Sequence, residues 1–312
     1  MRKTMWFACV AVLAFFTVST SHAASQFNWA AAGLGGTYYP ISVGMTKIIN
    51  TYVPDVKMTV EVTGGGVANS RLVGEGNNDF GITNSDAAYY AIKGQPPFKK
   101  AYKMYAIAYL YPSSLHTIVM ATSPIKSYKD FKGKRIAIGP AGGGTINTFR
   151  SMIPFYGFQE SDFKFSYLSF SDGVSALKDG NADVNMVIAG APAGAAKELA
   201  ETANVRFISV EEDILKKLMD KYAYYVRSEL PKTMFNTPKE IVTLGLGNLW
   251  IVSEKVPEEL VYKMTKAVFE HLDELGKSHP QGKDIALKTA TSASIPLHPG
   301  AIRYYKEKGI LK

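Results

Sequence analysis

Residues 134–145, KRIAIGPAGGGT, decide the fold when they are set beside residues 27–37, FNWAAAGLGGT. Each stretch runs from apolar residues into glycines and ends on a threonine, at Thr37 or Thr145. This pattern predicts a strand, a tight turn and a helix that the threonine caps. Such a turn leaves backbone N–H groups at a helix N-terminus, where anions bind. Two copies roughly 100 residues apart therefore predict two similar lobes that face one ligand.

The similarity between the two halves continues past the threonines. Both halves then read helix, strand, helix, Gly-x-x-Asp and strand, with the glycine and aspartate at Gly76/Asp79 and Gly180/Asp183. A glycine just past a helix adopts the left-handed conformation that ends it. Strands that alternate with helices predict a mostly parallel sheet in each lobe. Ligands of such sheets bind beyond the carboxyl ends of the strands.

The predicted fold class is α/β, with two lobes joined by two hinge strands. We place lobe 1 in residues 24–116 plus 246–312, and lobe 2 in residues 117–245. A β run at residues 104–110 ends the first part of lobe 1, and the crossing candidates are the β runs near residues 116–120 and 242–252. Residues 222–238, which precede the second crossing, are predicted to be irregular because they are aromatic and contain prolines. The chain then returns to lobe 1, where apolar residues on one side of residues 256–275 predict a single amphipathic helix. Such a hinge can close around a ligand.

A targeting signal is predicted for residues 1–23. Two basic residues precede an uncharged run at residues 5–18, and a small-x-small cleavage site ends at Ala23. The run is too short for a comfortable membrane span. We therefore expect export and a mature chain that starts at Ala24; an uncleaved anchor is the alternative.

Composition narrows the class of protein further. The only cysteine, Cys9, lies in the predicted signal, so the processed chain would have no disulfide and no thiol chemistry. Without the two basic residues of the signal, 33 basic residues face 27 acidic ones, or +6. The scattered lysines indicate a solvated surface, or alternatively one that docks a partner or steers anions. Export makes nucleic acid a poor partner, and we expect a soluble periplasmic monomer.

The candidate ligand-binding residues lie after predicted strands or at the start of the next helix. They are Gly36, Thr37, Tyr39, Thr63, Asn84, Ser85, Gly144, Thr145, Ala189, Gly190, Ala191 and Tyr225. Backbone amides of the two glycine turns are expected to receive carboxylate oxygens, and the hydroxyl and amide side chains to add hydrogen bonds. The two tyrosines are expected to wall the cleft, since tyrosine combines an apolar ring with a polar tip. Tight turns that only let helices pack, and simple N-caps, are the alternative reading.

Two arginines have two interpretations each, and one aspartate has one. Arg71 and Arg150 lie in helices opened by glycine turns, and either could pair with an acidic ligand or with a local acid. Asp86 falls in a first helical turn, where compensation of the helix dipole accounts for it.

Known catalytic and cofactor motifs are missing from the sequence. No Lys-Ser or Lys-Thr follows the glycines, so neither turn is a Walker loop, and the glycine spacing does not fit a dinucleotide fingerprint. There is no G-x-S-x-G elbow and no H-E-x-x-H, and the five histidines have no metal spacing. We therefore predict neither an enzyme, a cofactor nor a metal site.

Seven short motifs in chain order carry a family resemblance. They are GGTYYP at 35–40, VTGG at 62–65, NSD at 84–86, YP at 111–112 with His116, LSF at 168–170, AGAP at 189–192 and PLHPG at 296–300. Together they resemble the TAXI-type solute-binding proteins of TRAP (tripartite ATP-independent periplasmic) transporters, over nearly the whole mature chain.

The resemblance implies a type II periplasmic binding fold and delivery of the ligand to a membrane permease driven by an ion gradient. It implies a ligand such as a glutamate-like amino acid or a dicarboxylate. No arginine stands at an obvious equivalent of the carboxylate clamp in related DctP-type proteins, and Asn84 stands where family members often carry glutamine. A periplasmic sensor module and an enzyme acting on a small organic acid are the alternatives.

Overall fold

The computed structural model describes residues 24–312, so the predicted signal peptide lies outside the described residues. The strands are β1 (Ser25–Ala30), β2 (Val56–Glu61), β3 (Phe80–Asn84), β4 (Met104–Met120), β5 (Arg135–Ala137), β6 (Lys164–Ser166), β7 (Val184–Ala189), β8 (Val205–Phe207), β9 (Tyr225–Leu230) and β10 (Ile241–Ser253). The α-helices are α1 (Tyr38–Tyr52), α2 (Gly66–Glu75), α3 (Ser85–Lys93), α4 (Gly144–Met152), α5 (Phe170–Lys178), α6 (Gly194–Thr202), α7 (Glu212–Lys221), α8 (Glu258–Glu270), α9 (Leu272–Ser278) and α10 (Pro299–Glu307).

The strands form one mixed sheet in the order β2-β1-β3-β10-β4-β7-β5-β6, with β8 on β4 and β9 on β10. The pairs within β1, β2 and β3, and within β5, β6 and β7, are parallel. The two strands between these groups run antiparallel to their neighbours. The predicted parallel groups therefore lie at the two ends of one sheet.

The connection between the two groups consists of β4 and β10. They pair with each other from Ser114 and Gly245 to Met104 and Ser253. The far part of β4 pairs with β7, and β10 pairs with β3 through residues 248–252. Each long strand thus belongs to both halves. The sequence analysis expected separate β runs before and after residue 111, but the chain continues through them as one strand. The exact lobe boundaries within these strands stay a prediction.

Each end of the sheet has its own hydrophobic core. One core contains the stacked rings of Trp29 and Trp250, whose centroids lie 5.4 Å apart, and is covered by α1, α8 and α10. Another surrounds Phe131 and Phe149 and includes residues from β5, β7 and α7. Separate cores allow the two halves to move as units about the connecting strands. No helix within residues 24–312 is long and apolar enough to cross a membrane.

Two predictions about elements near the C-terminal half are wrong. The helix expected over residues 256–275 is split into α8 and α9, because His271 leaves the helical conformation and stacks its ring on Tyr52, 3.6 Å between centroids. Residues 222–238, which the sequence predicts to be irregular, contain β9, and this strand pairs with β10 along its whole length. Its exposed, charged residues hide an edge strand from a search for apolar alternation.

One of the two predicted threonine caps has the predicted position, and neither threonine side chain caps its helix. Thr37 stands at the N-cap of α1, but its side chain makes no capping hydrogen bond. The N-cap of α4 is Gly143, which makes Thr145 the second helical residue. The Thr145 Oγ1 atom instead accepts the backbone N–H of Ile188 at 3.2 Å, and this ties α4 to β7.

Candidate functional site between the glycine turns

A cavity of about 50 Å³ lies between the two glycine turns. Five helices start at its wall, because strand and helix alternate in both halves and the carboxyl ends of the strands meet here. Their N-cap or first residues in the lining are Thr37, Gly66, Asn84, Gly144 and Ser169, which begin α1, α2, α3, α4 and α5. The cavity therefore collects five helix N-termini.

The electrostatics of the cavity come from the backbone. N–H groups in a first helical turn have no intrahelical partner, and each N-terminus carries about half a positive charge. The described residues that line the cavity include no Lys, Arg, His, Asp or Glu. A negatively charged group would thus meet positive helix ends and neutral side chains. This arrangement is suited to a small anion.

The turn after β2, which holds Gly64 and Gly65, approaches the second glycine turn at backbone distance. The N–H of Ala68 donates to the carbonyl of Gly142 at 3.0 Å. A Cβ atom added to Gly64 would lie 3.2 Å from the Cα of Gly142, and one added to Gly65 would lie 3.3 Å from the Cα of Gly143. Any larger residue would push the turns apart, so the glycines allow the two halves to close over the cavity.

A hydrogen-bond network centred on Asn248 holds one wall of the cavity. Asn248 Nδ2 donates to the Tyr111 carbonyl at 2.9 Å and to Ser113 Oγ at 2.8 Å. Asn248 Oδ1 accepts from the Tyr38 hydroxyl at 2.8 Å and from Asn84 Nδ2 at 3.1 Å. Strands β4 and β10 thereby fix the side chain of Asn84. Asn248 is not among the predicted site residues, although an asparagine within a mostly apolar β run was a signal that the sequence offered. The structure shows that this side chain is fully buried.

Comparisons with known proteins identify the family of this chain and proteins with a similar fold. The sequence pattern of the NMT1-like family matches residues 29–309. The chain belongs to the NMT1-like family. Among solved structures, it is similar to the alkanesulfonate-binding protein SsuA from Xanthomonas axonopodis pv. citri bound to MOPS, with a TM-score of 0.52, 13% identity, and coverage of 93% of this chain and 96% of that one.

A second similar structure is a putative L-cystine ABC transporter protein from Listeria monocytogenes. It has a TM-score of 0.52 and 14% identity, and the match covers 86% of this chain and 99% of that one. These likenesses concern the fold, and they confirm the predicted α/β periplasmic binding protein fold with two lobes.

In this NMT1-like protein, Asp86 connects the two predicted lobes. The side chain is fully buried, and its Oδ1 accepts the Ala87 N–H at 2.7 Å. Its Oδ2 accepts Asn147 Nδ2 at 2.7 Å, the Tyr225 hydroxyl at 3.3 Å and the Thr148 hydroxyl at 3.4 Å. Burial raises the pKa of the carboxyl to about 6, although these hydrogen bonds lower it in part. Compensation of the helix dipole is therefore an incomplete explanation of Asp86.

Five of the twelve predicted site residues line the cavity of this NMT1-like protein. They are Gly36, Thr37, Asn84, Gly144 and Ala189. Gly36 lies in the first glycine turn, and each of the other four stands at the end of a strand or at the start of a helix. The placement agrees with the expectation that both glycine turns face one ligand, and their contact with a ligand stays a prediction.

Two of the predicted side chains form hydrogen bonds within the protein and do not line this cavity. Thr63 Oγ1 donates to the Ala31 carbonyl and contacts Asn69, so it holds the turn after β2. The Ser85 hydroxyl donates to the Gly247 carbonyl at 3.0 Å.

The remaining predicted residues lie near the cavity without lining it. Gly190 and Ala191 are covered by Gln281, whose Nε2 donates to the Ala191 carbonyl at 2.8 Å. Tyr39 packs in part against the core around Trp29. Thr145 and Tyr225, placed above, bond to Ile188 and to Asp86.

Neither arginine considered from the sequence lines the cavity. Arg150 pairs with Glu160 at 2.6 Å, which is the local-acid alternative. Arg71 interacts with Tyr102 instead.

Proposed function

We propose that this protein is a periplasmic solute-binding protein that captures a small carboxylate between its two lobes. The observation that carries the proposal is the cavity where five helix N-termini converge and the described lining residues bear no charge. The turn at Gly64 and Gly65 in one half meets the turn at Gly142 and Gly143 in the other half beside this cavity, so a bound ligand would be enclosed. The lobes we propose are residues 24–116 plus 246–312 and residues 117–245, with β4 and β10 as hinge strands.

A carboxylate suits this cavity because it is planar and presents two acceptor oxygens to opposite walls. On one side the amides of Gly36 and Thr37 precede α1, and on the other the amide of Gly144 begins α4. Helix ends stabilise a negative charge without placing a formal positive charge in the cavity. A glutamate-like amino acid or a dicarboxylate is the ligand class that the family resemblance suggests.

The proposed partner is the membrane permease of a TRAP transporter, and the proposed working form is a monomer. Support for TRAP comes from the motifs that resemble TAXI-type proteins, among them 35–40 and 189–192. The similar solved structures include a binding protein for alkanesulfonates and a putative cystine ABC transporter protein. A permease gene beside this one, of the TRAP or the ABC type, would decide between the two delivery routes.

A catalytic role has less support than capture. Tyr38 is the only side chain in the described lining with an ionisable group, and burial raises its pKa well above the ordinary value. Such a phenol stays protonated at neutral pH and does not form an acid–base pair. A sensor module would use the same capture step and differs only in its membrane partner.

A thermal-shift screen of organic and amino acids tests capture, because a ligand that binds only the folded state raises its melting temperature. Calorimetry on any acid found would follow. We expect Thr37→Val to weaken binding about fivefold or more, since it removes a hydroxyl from the lining. Thr51→Val, at the exposed end of the same helix, is the matched control. Failure of every acid to raise the melting temperature, or turnover of one of them, would contradict the proposal.

A further inference from the structure

Asn84 places a hydrogen-bond acceptor without a partner at the cavity wall. The residue is 3% exposed and lines the cavity. Its Oδ1 lies against two other lining residues: a Cβ added to Gly66 would come within 2.9 Å of it, and one added to Gly144 would collide with it. Among the described residues, none donates a hydrogen bond to this oxygen, whereas the Nδ2 of the same amide is bonded to Asn248.

The orientation of the Asn84 amide is set by a chain of donors and acceptors. A backbone carbonyl can only accept, so the Tyr111 carbonyl requires the Nδ2 of Asn248 on its side. The Oδ1 of Asn248 then faces Asn84 and the Tyr38 hydroxyl. Asn84 must present its Nδ2 to that oxygen, which turns its own Oδ1 toward Gly66 and Gly144. The cavity wall therefore offers a fixed acceptor.

We propose that the ligand is a small hydroxy acid, whose carboxylate is held by the helix N-termini while its hydroxyl donates to Asn84 Oδ1. This assignment rests on the proposed function and narrows its ligand class. The Asn84 oxygen has no donor among the described residues and faces the cavity, so a ligand hydroxyl supplies the partner that this acceptor needs once the ligand has filled the cavity. An acid without a donor would leave the oxygen desolvated and unpaired, which is unfavourable.

A hydroxyl fits the site better than an ammonium group. Helices α1, α2 and α4 carry no acidic residue in the first turn, so their N-termini repel a cation, and no carboxylate is present among the described lining residues. The neighbouring carboxylate of Asp86 is already bonded to Ala87, Asn147 and Tyr225. An ammonium group would thus enter the cavity without an ionic partner, whereas a hydroxyl needs only the one acceptor.

The test compares acids that differ at one position only. The first series is lactate, propionate and alanine, which carry a hydroxyl, a hydrogen and an ammonium group on the same skeleton; malate, succinate and aspartate form the second. The shorter series suits a cavity of about 50 Å³. Calorimetry on the whole protein should show the hydroxy acid of at least one series binding about tenfold or more tightly than both analogues.

Two variants separate this assignment from a general loss of binding. Asn84→Leu removes the acceptor at similar size, and Asn248→Ala frees the Asn84 amide to turn its Nδ2 toward the ligand. In either variant that folds, the preference for the hydroxy acid should fall to about threefold or less. Asn181→Ala, at an exposed position, should keep the full preference.

The outcomes distinguish the two proposals. If, in every series that binds, the acid without a hydroxyl binds as tightly as its hydroxy analogue or the amino acid binds more tightly, the hydroxy-acid assignment is overturned while carboxylate capture stands. If none of the six acids binds the wild-type protein, the hydroxy-acid assignment is overturned, and carboxylate capture is then decided by the wider thermal-shift screen. These comparisons use the wild-type protein, so they decide the question even where a variant does not fold.

Discussion

Replacing Asp86 with asparagine is expected to change how the stability of the protein depends on pH. The carboxyl is fully buried, and burial raises its pKa from 3.8 to about 6. The folded protein therefore holds this proton over a pH interval in which the unfolded chain has lost it. The resulting contribution to stability is fully present below pH 3.8 and is lost as the pH rises through about 6. At about 1.4 kcal/mol per pH unit, the interval corresponds to about 3 kcal/mol.

The asparagine side chain of the Asp86→Asn variant has no proton to lose, so the wild type should lose stability relative to this variant as the pH rises. Most of this difference, roughly 2 kcal/mol, should develop between pH 4 and pH 7. The ionisable neighbours that face Asp86 are Tyr38, Tyr90, Tyr224 and Tyr225. Their pKa values are raised, so they stay protonated over this range. Other carboxyl groups are common to both proteins and cancel in the difference.

The measurement is urea unfolding of the wild type and of the Asp86→Asn variant at pH 4, 5, 6 and 7. Subtracting the two free energies of unfolding at each pH isolates the effect of this one side chain. Asp179→Asn removes a carboxyl at an exposed position and serves as the control, whose difference from wild type should stay within about 0.5 kcal/mol. Parallel stability curves for the wild type and the Asp86→Asn variant would refute the reasoning, as would a difference of the opposite sign.

Three further predictions test the packing around the site. Gly144→Ala should lower the free energy of unfolding in urea by about 1–3 kcal/mol, because the added Cβ collides with a fixed amide, whereas Gly33→Ala meets nothing within 4 Å and should change it little. Arg150→Ala should cost less than about 1 kcal/mol, because its ion pair is partly exposed, and calorimetry should show unchanged ligand affinity; a tenfold loss would place the guanidinium at the ligand. Asn147→Leu removes a donor to Asp86, so thermal melts should show a larger loss of stability at pH 7 than at pH 4; equal losses would contradict that role.

The sequence predicted the parts of the fold that depend on local chemistry. Glycines mark the turns because few other residues allow the backbone to pass so close to its neighbours, and Gly35, Gly76 and Gly180 do have positive φ. Alternating strand and helix patterns then placed both glycine turns at the same edge of the sheet. For that reason Gly36, Thr37 and Gly144 were found without any structure.

The residues that hold the site together could not be predicted in the same way. Asn84 and Asn248 are 164 positions apart, and Asp86 and Asn147 are 61 apart. Nothing in their local sequence specifies these pairings, since a buried polar residue finds its partner only when the chain has folded. Tyr225 shows the same limit: its selection located a residue close to the site, but the hydroxyl bonds to Asp86 rather than walling the cleft.

In the proposed capture, helix N-termini bind the anion without an arginine, and this affects the free energy of closing the two lobes. A buried guanidinium has to be desolvated each time the lobes close, and it would oppose closure until an anion arrives. Helix N-termini contribute up to about 2 kcal/mol each toward an anion, yet they carry no formal charge. Because the charge is dispersed over five helices, selectivity must come from directional groups. The acceptor of Asn84, oriented through Asn248, is the directional group that the proposed binding of a hydroxy acid uses, beside the hydroxyl of Thr37.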